Sequence, residues 1–180
     1  MKGQAIWLLR PGAALSGAQI LDDLDRLDVR KTEPISGEFR AWGTTVETAG
    51  RSWSTTPEVL FGHLLKTREE IAFQLWLGPG ATLVSAQYLS DLLAITFRLD
   101  GRTRAEAEAL VARTFWTALN HEQSIGFLVD LTLPESRDEW GSFLRGDVTI
   151  VPATGTLAWL RGDGKSSFLR VHPSLWDSSN

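Results

Sequence analysis

Between Glu70 and Leu131 the chain alternates apolar and polar residues so regularly that few folds are open to it. Ile71, Phe73, Leu75 and Leu77 point one way and Ala72, Gln74 and Trp76 the other, the two-residue period of a half-buried strand. The glycines and proline of 78–80 then reverse the chain, since glycine accepts positive φ and proline fixes its own. A second run covers 82–89, and Ser90 and Asp91 make a tight connection. A third run sets Leu93, Ile95, Phe97 and Leu99 opposite Ala94, Thr96, Arg98 and Asp100. Connections this short predict an antiparallel meander.

A helix follows. Thr103 and Glu106 form a capping box, in which hydroxyl and carboxylate satisfy each other's free amides. Ala107, Leu110, Val111, Phe115, Ala118 and Leu119 recur at three and four residues, a stripe that can lie on the sheet while Arg104, Glu108 and Arg113 stay wet. The run 125–131 is apolar on nearly every residue but short, which suits an interior strand.

The flanks read similarly. Residues 4–9 form an opening strand. Ser16 and Gln19 make a second capping box ahead of an amphipathic helix bearing Ile20, Leu21, Leu24 and Leu27, and 29–37 is a surface connection. Alternation resumes over 38–48, with Arg40, Trp42, Thr44 and Val46 on one side, and 51–54 pairs back as an edge strand. Thr55, Pro57 and Glu58 open either a helix to Leu65 or an extended segment. Ser136 and Glu139 cap a short helix with Trp140, Phe143 and Leu144. Strands follow at 147–151, 156–161 and 167–171, the last two joined as a hairpin through 162–165, and 172–180 is a loose tail anchored only by Trp176. The expectation is one α+β domain over 1–180. It has a single antiparallel sheet, or a mixed one, with two main helices on one face and a C-terminal β-hairpin.

Composition narrows the function. Its 180 residues, enough to bury roughly 70% of the unfolded surface, include no cysteine, so disulfides and thiolate metal ligands are excluded and a reducing cytoplasm is favoured. Five consecutive apolar residues before Arg10 are too few for a signal-peptide core, and no run reaches membrane-spanning length. Eighteen basic residues against 22 acidic ones, spread evenly along the chain, argue against nucleic acid as partner. Arginine outnumbers lysine 14 to 4, as in proteins of high-GC bacteria. Eight tryptophans are the outlier, and tryptophan serves both packing and binding hot spots.

Motifs for chemistry are missing. His121 and Glu122 would begin a zinc-protease pattern, but Ile125 stands where its second histidine belongs. No serine sits in a nucleophile elbow, no Walker lysine occurs, and residues 78–80 lack the third glycine of a dinucleotide loop, so no cofactor is expected. The Arg-Gly-Asp runs at 145–147 and 161–163 are turn chemistry. Asp130 interrupts an apolar run and needs a partner if buried.

Recognition remains. With helices over Ile71, Phe73, Leu93, Ile95 and Phe97, the opposite face displays Arg40, Trp42, Gln74, Trp76, Thr96 and Arg98, the composition of a protein-binding hot spot. The competing arrangement has the C-terminal hairpin, with Trp159 and Phe168, covering that face. The aspartates at 22, 23, 25 and 28 are either a solvated helix face or an acidic patch, with Asp22 and Asp25 docking a basic partner. The leading expectation is a non-enzymatic, cytoplasmic protein-binding domain of inhibitor or toxin-immunity character, with a toxin as one candidate partner and no nucleic acid or membrane. The alternative is a small-molecule or hydrolytic site between sheet and helix at His121, Glu122 and Asp130.

Overall fold

The meander forms as its alternation dictates. A computed structural model describes residues 3–10, 17–89, 92–130, 157–162 and 165–171. Within them β5 (Ile71–Leu77), β6 (Gly80–Leu89) and β7 (Leu92–Arg98) run antiparallel, with Phe73 opposite Val84 and Val84 opposite Phe97. Strand β1 (Gln4–Leu9) pairs with β7 on one side and with β8 (Ser124–Asp130) on the other. The first strand of the chain thus lies inside the sheet. Beyond β8 lie β9 (Leu157–Gly162) and β10 (Lys165–Val171); beyond β5 lie β3 (Phe39–Trp42) and β4 (Ser52–Thr55). The spatial order is β10-β9-β8-β1-β7-β6-β5-β3-β4, and the two-residue β2 (Val29–Arg30) pairs with the Trp76–Leu77 end of β5. The surface connection expected at 29–37 therefore begins as a strand, because the exposed end of β5 offers it free amides and carbonyls.

Three helices, α1 (Gly17–Asp25), α2 (Pro57–Thr67) and α3 (Arg104–Asn120), pack on the side of the sheet bearing Ile71, Phe73, Leu75, Leu93, Ile95 and Phe97. The segment open to two readings at 55–65 is the helix α2. Thr56 caps it by accepting from the Val59 amide at 3.4 Å, and Pro57 occupies the first turn, where its missing N–H costs nothing. Its end is left-handed at Arg68, φ 60°, an unusual place for a side chain; there the guanidinium sits over the Tyr88 ring at 4.8 Å. Ile20, Leu21 and Leu24 of α1, Leu60, Phe61 and Leu64 of α2, and Ala107 and Leu110 of α3 fill the core against Trp7, Phe73, Phe97 and Phe127. Fully burying each such leucine, isoleucine or phenylalanine is worth about 1.5–3 kcal/mol. Among the described residues, no helix is long and apolar enough to cross a membrane.

The hairpin β9–β10 corrects one expectation. It extends the sheet in its own plane by pairing with the free edge of β8, and Trp159 is buried in the helix-side core, 6.0 Å from Phe115. It is not a second layer. The side chains of Asp130 and Phe168, the capping box at Ser16, the helix at 136–146, the strand at 147–151 and the tail lie outside the described residues.

The capping box of α3 is formed, with Thr103 N–H donating to Glu106 Oε2 at 2.9 Å and Glu106 N–H to Thr103 Oγ1 at 3.3 Å. The backbone bond from Thr103, then its hydroxyl, holds the Glu106 carboxyl below its ordinary 4.5. Since the folded value is the lower one, this contribution is present above pH 4.5 and is lost as pH falls through the folded value. Thr103→Ala keeps the backbone N–H and removes the hydroxyl, so it should cost about 1 kcal/mol at neutral pH and flatten, in part, the acid limb of stability below the ordinary glutamate range. Urea melts of both chains across that range would show it; parallel acid limbs would refute it.

Candidate functional site

Strand alternation hands the second face of the sheet a different set of side chains, and it divides into two halves. Around β1, β7 and β8 it is apolar and closed: Leu8, Ala94 and Leu128 are buried together, with Ile6, Leu89 and Ile125 against them. Thr96 belongs to this half, buried at 5% exposure, on the same face as Arg98 but among the apolar neighbours. Around β3, β5 and β6 the face is half-buried and mixed, carrying Arg40, Trp42, Gln74, Trp76, Leu83, Ser85 and Gln87.

The register assembles this half. Trp42 lies opposite Ala72 and Ala72 opposite Ser85, so only small side chains flank the indole across β5 and β6. Gln74 and Trp76 follow two and four residues along β5, and Trp76 is braced by the backbone of Arg30. The indole N–H of Trp42 is buried without an acceptor among the described residues, although its ring is only half-buried. Buried indoles ordinarily find one, and leaving it unpaired costs about 1–3 kcal/mol. Arg40 is held from two sides, Nε to Glu33 at 3.2 Å and a terminal nitrogen to Glu38 at 3.1 Å. Arg98, across from Gln4 on β1, is exposed.

Asp22 and Asp25 are not part of this surface. They lie on α1, on the helix side, where Lys31 answers both: its ammonium pairs with Asp22 and its amide donates to Asp25 Oδ1 at 3.3 Å. Asp23 pairs with Arg26 at 2.8 Å. Two of the four aspartates, Asp22 and Asp23, are thus answered by cations from their own neighbourhood.

His121 closes α3 and is packed as structure. Its ring meets Trp7 edge-on with centroids 5.5 Å apart, and its Nδ1 accepts the Gln123 amide at 3.3 Å. Ser124, 1% exposed, accepts the Trp7 indole N–H at 2.7 Å. Glu122 is exposed. His63 pairs with Glu69 at the surface, and no group of three or more metal-ligating residues occurs among the described residues.

One feature had no sequence signature. A groove of about 520 Å³ runs between the end of α1, the β5–β6 turn and the first turns of α3, with Leu77, Pro79, Ala105 and Ala109 on its floor and walls. Asp28, left-handed at φ 61°, faces Arg113 across it at 4.0 Å. Arg102, 6% exposed, donates to Gly80 O at 3.1 Å and pins the turn that forms one rim. Three segments far apart in sequence build it, and no periodicity reports that.

The chain matches no family model, no curated protein and no solved structure.

Proposed function

We propose that the chain is a non-enzymatic protein-binding domain of the inhibitor or toxin-immunity kind, working in a bacterial cytoplasm, with Trp42, Gln74 and Trp76 at the centre of its contact surface and Arg40 and Arg98 at the rim. The observation that carries this is the Trp42 indole. Its N–H has no acceptor among the described residues, so no hydrogen bond fixes the half-buried ring, and a turn of the ring would bring that N–H to a carbonyl presented by a partner. The three helices occupy the opposite face and leave this one free of them. Aromatic anchors with an arginine rim are the composition in which binding energy concentrates.

The test starts by recovering what the chain binds in its native host and titrating it back by calorimetry. Trp42→Ala and Trp76→Ala should each weaken that complex at least tenfold, about 1.4 kcal/mol, while the melting temperature moves by only a few degrees. Asp22→Asn and Asp25→Asn, on the helix side, should leave affinity unchanged. Parallel loss of folding and binding in the tryptophan variants would return both rings to the core and sink the reading.

A further inference from the structure

Strand β4 ends the sheet on one side, and nothing among the described residues pairs with its outer edge. The phase of its inner ladder is fixed by the Gly43 amide donating to Arg51 O at 3.0 Å. With Ala41 opposite Trp53 and Phe39 opposite Thr55, the Arg51 carbonyl and the amides and carbonyls of Trp53 and Thr55 then face β3, while the Arg51 amide donates to Thr48 O at 3.0 Å in the turn before it. Those of Ser52 and Ser54 face outward. Such an edge is ordinarily blunted by a charge, a proline or a bulge, and Ser52–Thr55 holds none of these.

We infer that this edge pairs antiparallel with the same edge of a second copy, joining two sheets across a two-fold axis at Trp53. The register follows from the phase. Outward-facing residues must oppose one another, so Ser52 of each copy meets Ser54 of the other and exchanges both hydrogen bonds. Trp53 then falls opposite Trp53 in a pair without mutual hydrogen bonds, the closer of the two antiparallel spacings and the one in which aromatic side chains touch most. Trp53 is 43% exposed in the single copy, which leaves it surface to bury.

Charge agrees with a second copy as the occupant. Exposed Arg51 lies at one end of the strand and exposed Glu58 three residues beyond the other. Antiparallel pairing of like strands therefore brings unlike ends together on both sides of the axis. Like strands side by side and parallel would not.

The pairing is short, so the dimer should form reversibly with concentration, and sedimentation equilibrium of the wild-type chain should show it. Ser54→Pro removes an outward N–H and leaves the β3–β4 ladder its bonds. It should raise the dimer dissociation constant at least tenfold, as roughly two lost hydrogen bonds at one edge imply, with an unchanged circular dichroism spectrum. Should that variant misfold, Trp53→Lys sets like charges on the axis and should dissociate the dimer equally. The chain has no cysteine, so Trp53→Cys places one thiol on each side of the axis, and mild oxidation should yield a covalent dimer where Val46→Cys does not. A wild-type chain monomeric at every concentration overturns the inference, including the case in which the edge captures a foreign extended peptide instead. So does a Trp53→Lys dimer as tight as wild type. Neither result bears on the proposed partner surface, whose tryptophan variants are read separately.

Discussion

Gly17→Ala is expected to destabilise the chain by about 3 kcal/mol, at the upper end of what overpacking costs. Gly17 opens α1 and is buried against α2. A methyl group there would overlap the Phe61 ring at Cγ, Cδ1 and Cδ2. The ring has nowhere to go, being 4% exposed and packed on Phe73 with centroids 5.6 Å apart. Alanine improves helix propensity over glycine by at most about 1 kcal/mol, so the clash wins. The structure can relieve it only by lifting α1, which uncovers Ile20, Leu21 and Leu24. Urea denaturation of Gly17→Ala, Phe61→Leu and the double variant tests this. The smaller side chain should recover part of the alanine's cost, so the double variant must be more stable than the sum of its parts requires. Additive effects would mean that the two residues do not touch.

The same contact marks where sequence reading stops. A glycine in the first turn of an amphipathic helix looks like a weak helix position; that it is the slot for an aromatic ring 44 residues later becomes visible only when α1 and α2 are laid side by side. Local patterns behaved otherwise. The alternation of 71–77 and 93–99 placed the dry face correctly, because a period of two leaves a strand only two ways to lie and one buries every large aliphatic residue. The capping box at Thr103 marked the start of α3 to the residue, since both of its bonds are made within one turn.

Strand order was not legible. That β1 enters between β7 and β8 is decided by three hydrophobic strands competing for each other's edges, and each alternates well enough to fit elsewhere. The burial of Thr96 has the same origin. Parity along β7 puts it on the second face beside Arg98, and only the neighbouring strands decide that this spot is closed by Leu8, Ala94 and Leu128 while the β3–β5–β6 side stays half-open. The partner of Asp22 was hidden for a related reason: Lys31 lies past the helix, and the turn after Asp25 folds it back onto Asp22. Faces follow from periodicity; what covers a face follows from topology.

Trp7→Ala should be the most damaging change of all, about 3–5 kcal/mol. Trp7 is wholly buried at the centre of the sheet, between Ile95 on β7 and Phe127 on β8, where its ring meets the His121 edge. Its polar atom raises the stakes, since the indole N–H is satisfied by Ser124 Oγ in a site with almost no access to water. Ser124→Ala alone strands that N–H and should cost about 1–3 kcal/mol. Trp7→Phe alone strands the hydroxyl and leaves a gap beside His121. The two together remove both ends of the bond, so Trp7→Phe/Ser124→Ala should cost less than the single changes summed, with a coupling of roughly 1 kcal/mol. Chemical denaturation of the four chains measures it, and zero coupling would mean that the bond is not made in solution. The result also bears on the histidine. If Trp7 and Ser124 are coupled through a dry site, His121 is the cap of a structural knot, and His121→Asn should change stability while leaving partner affinity where it was.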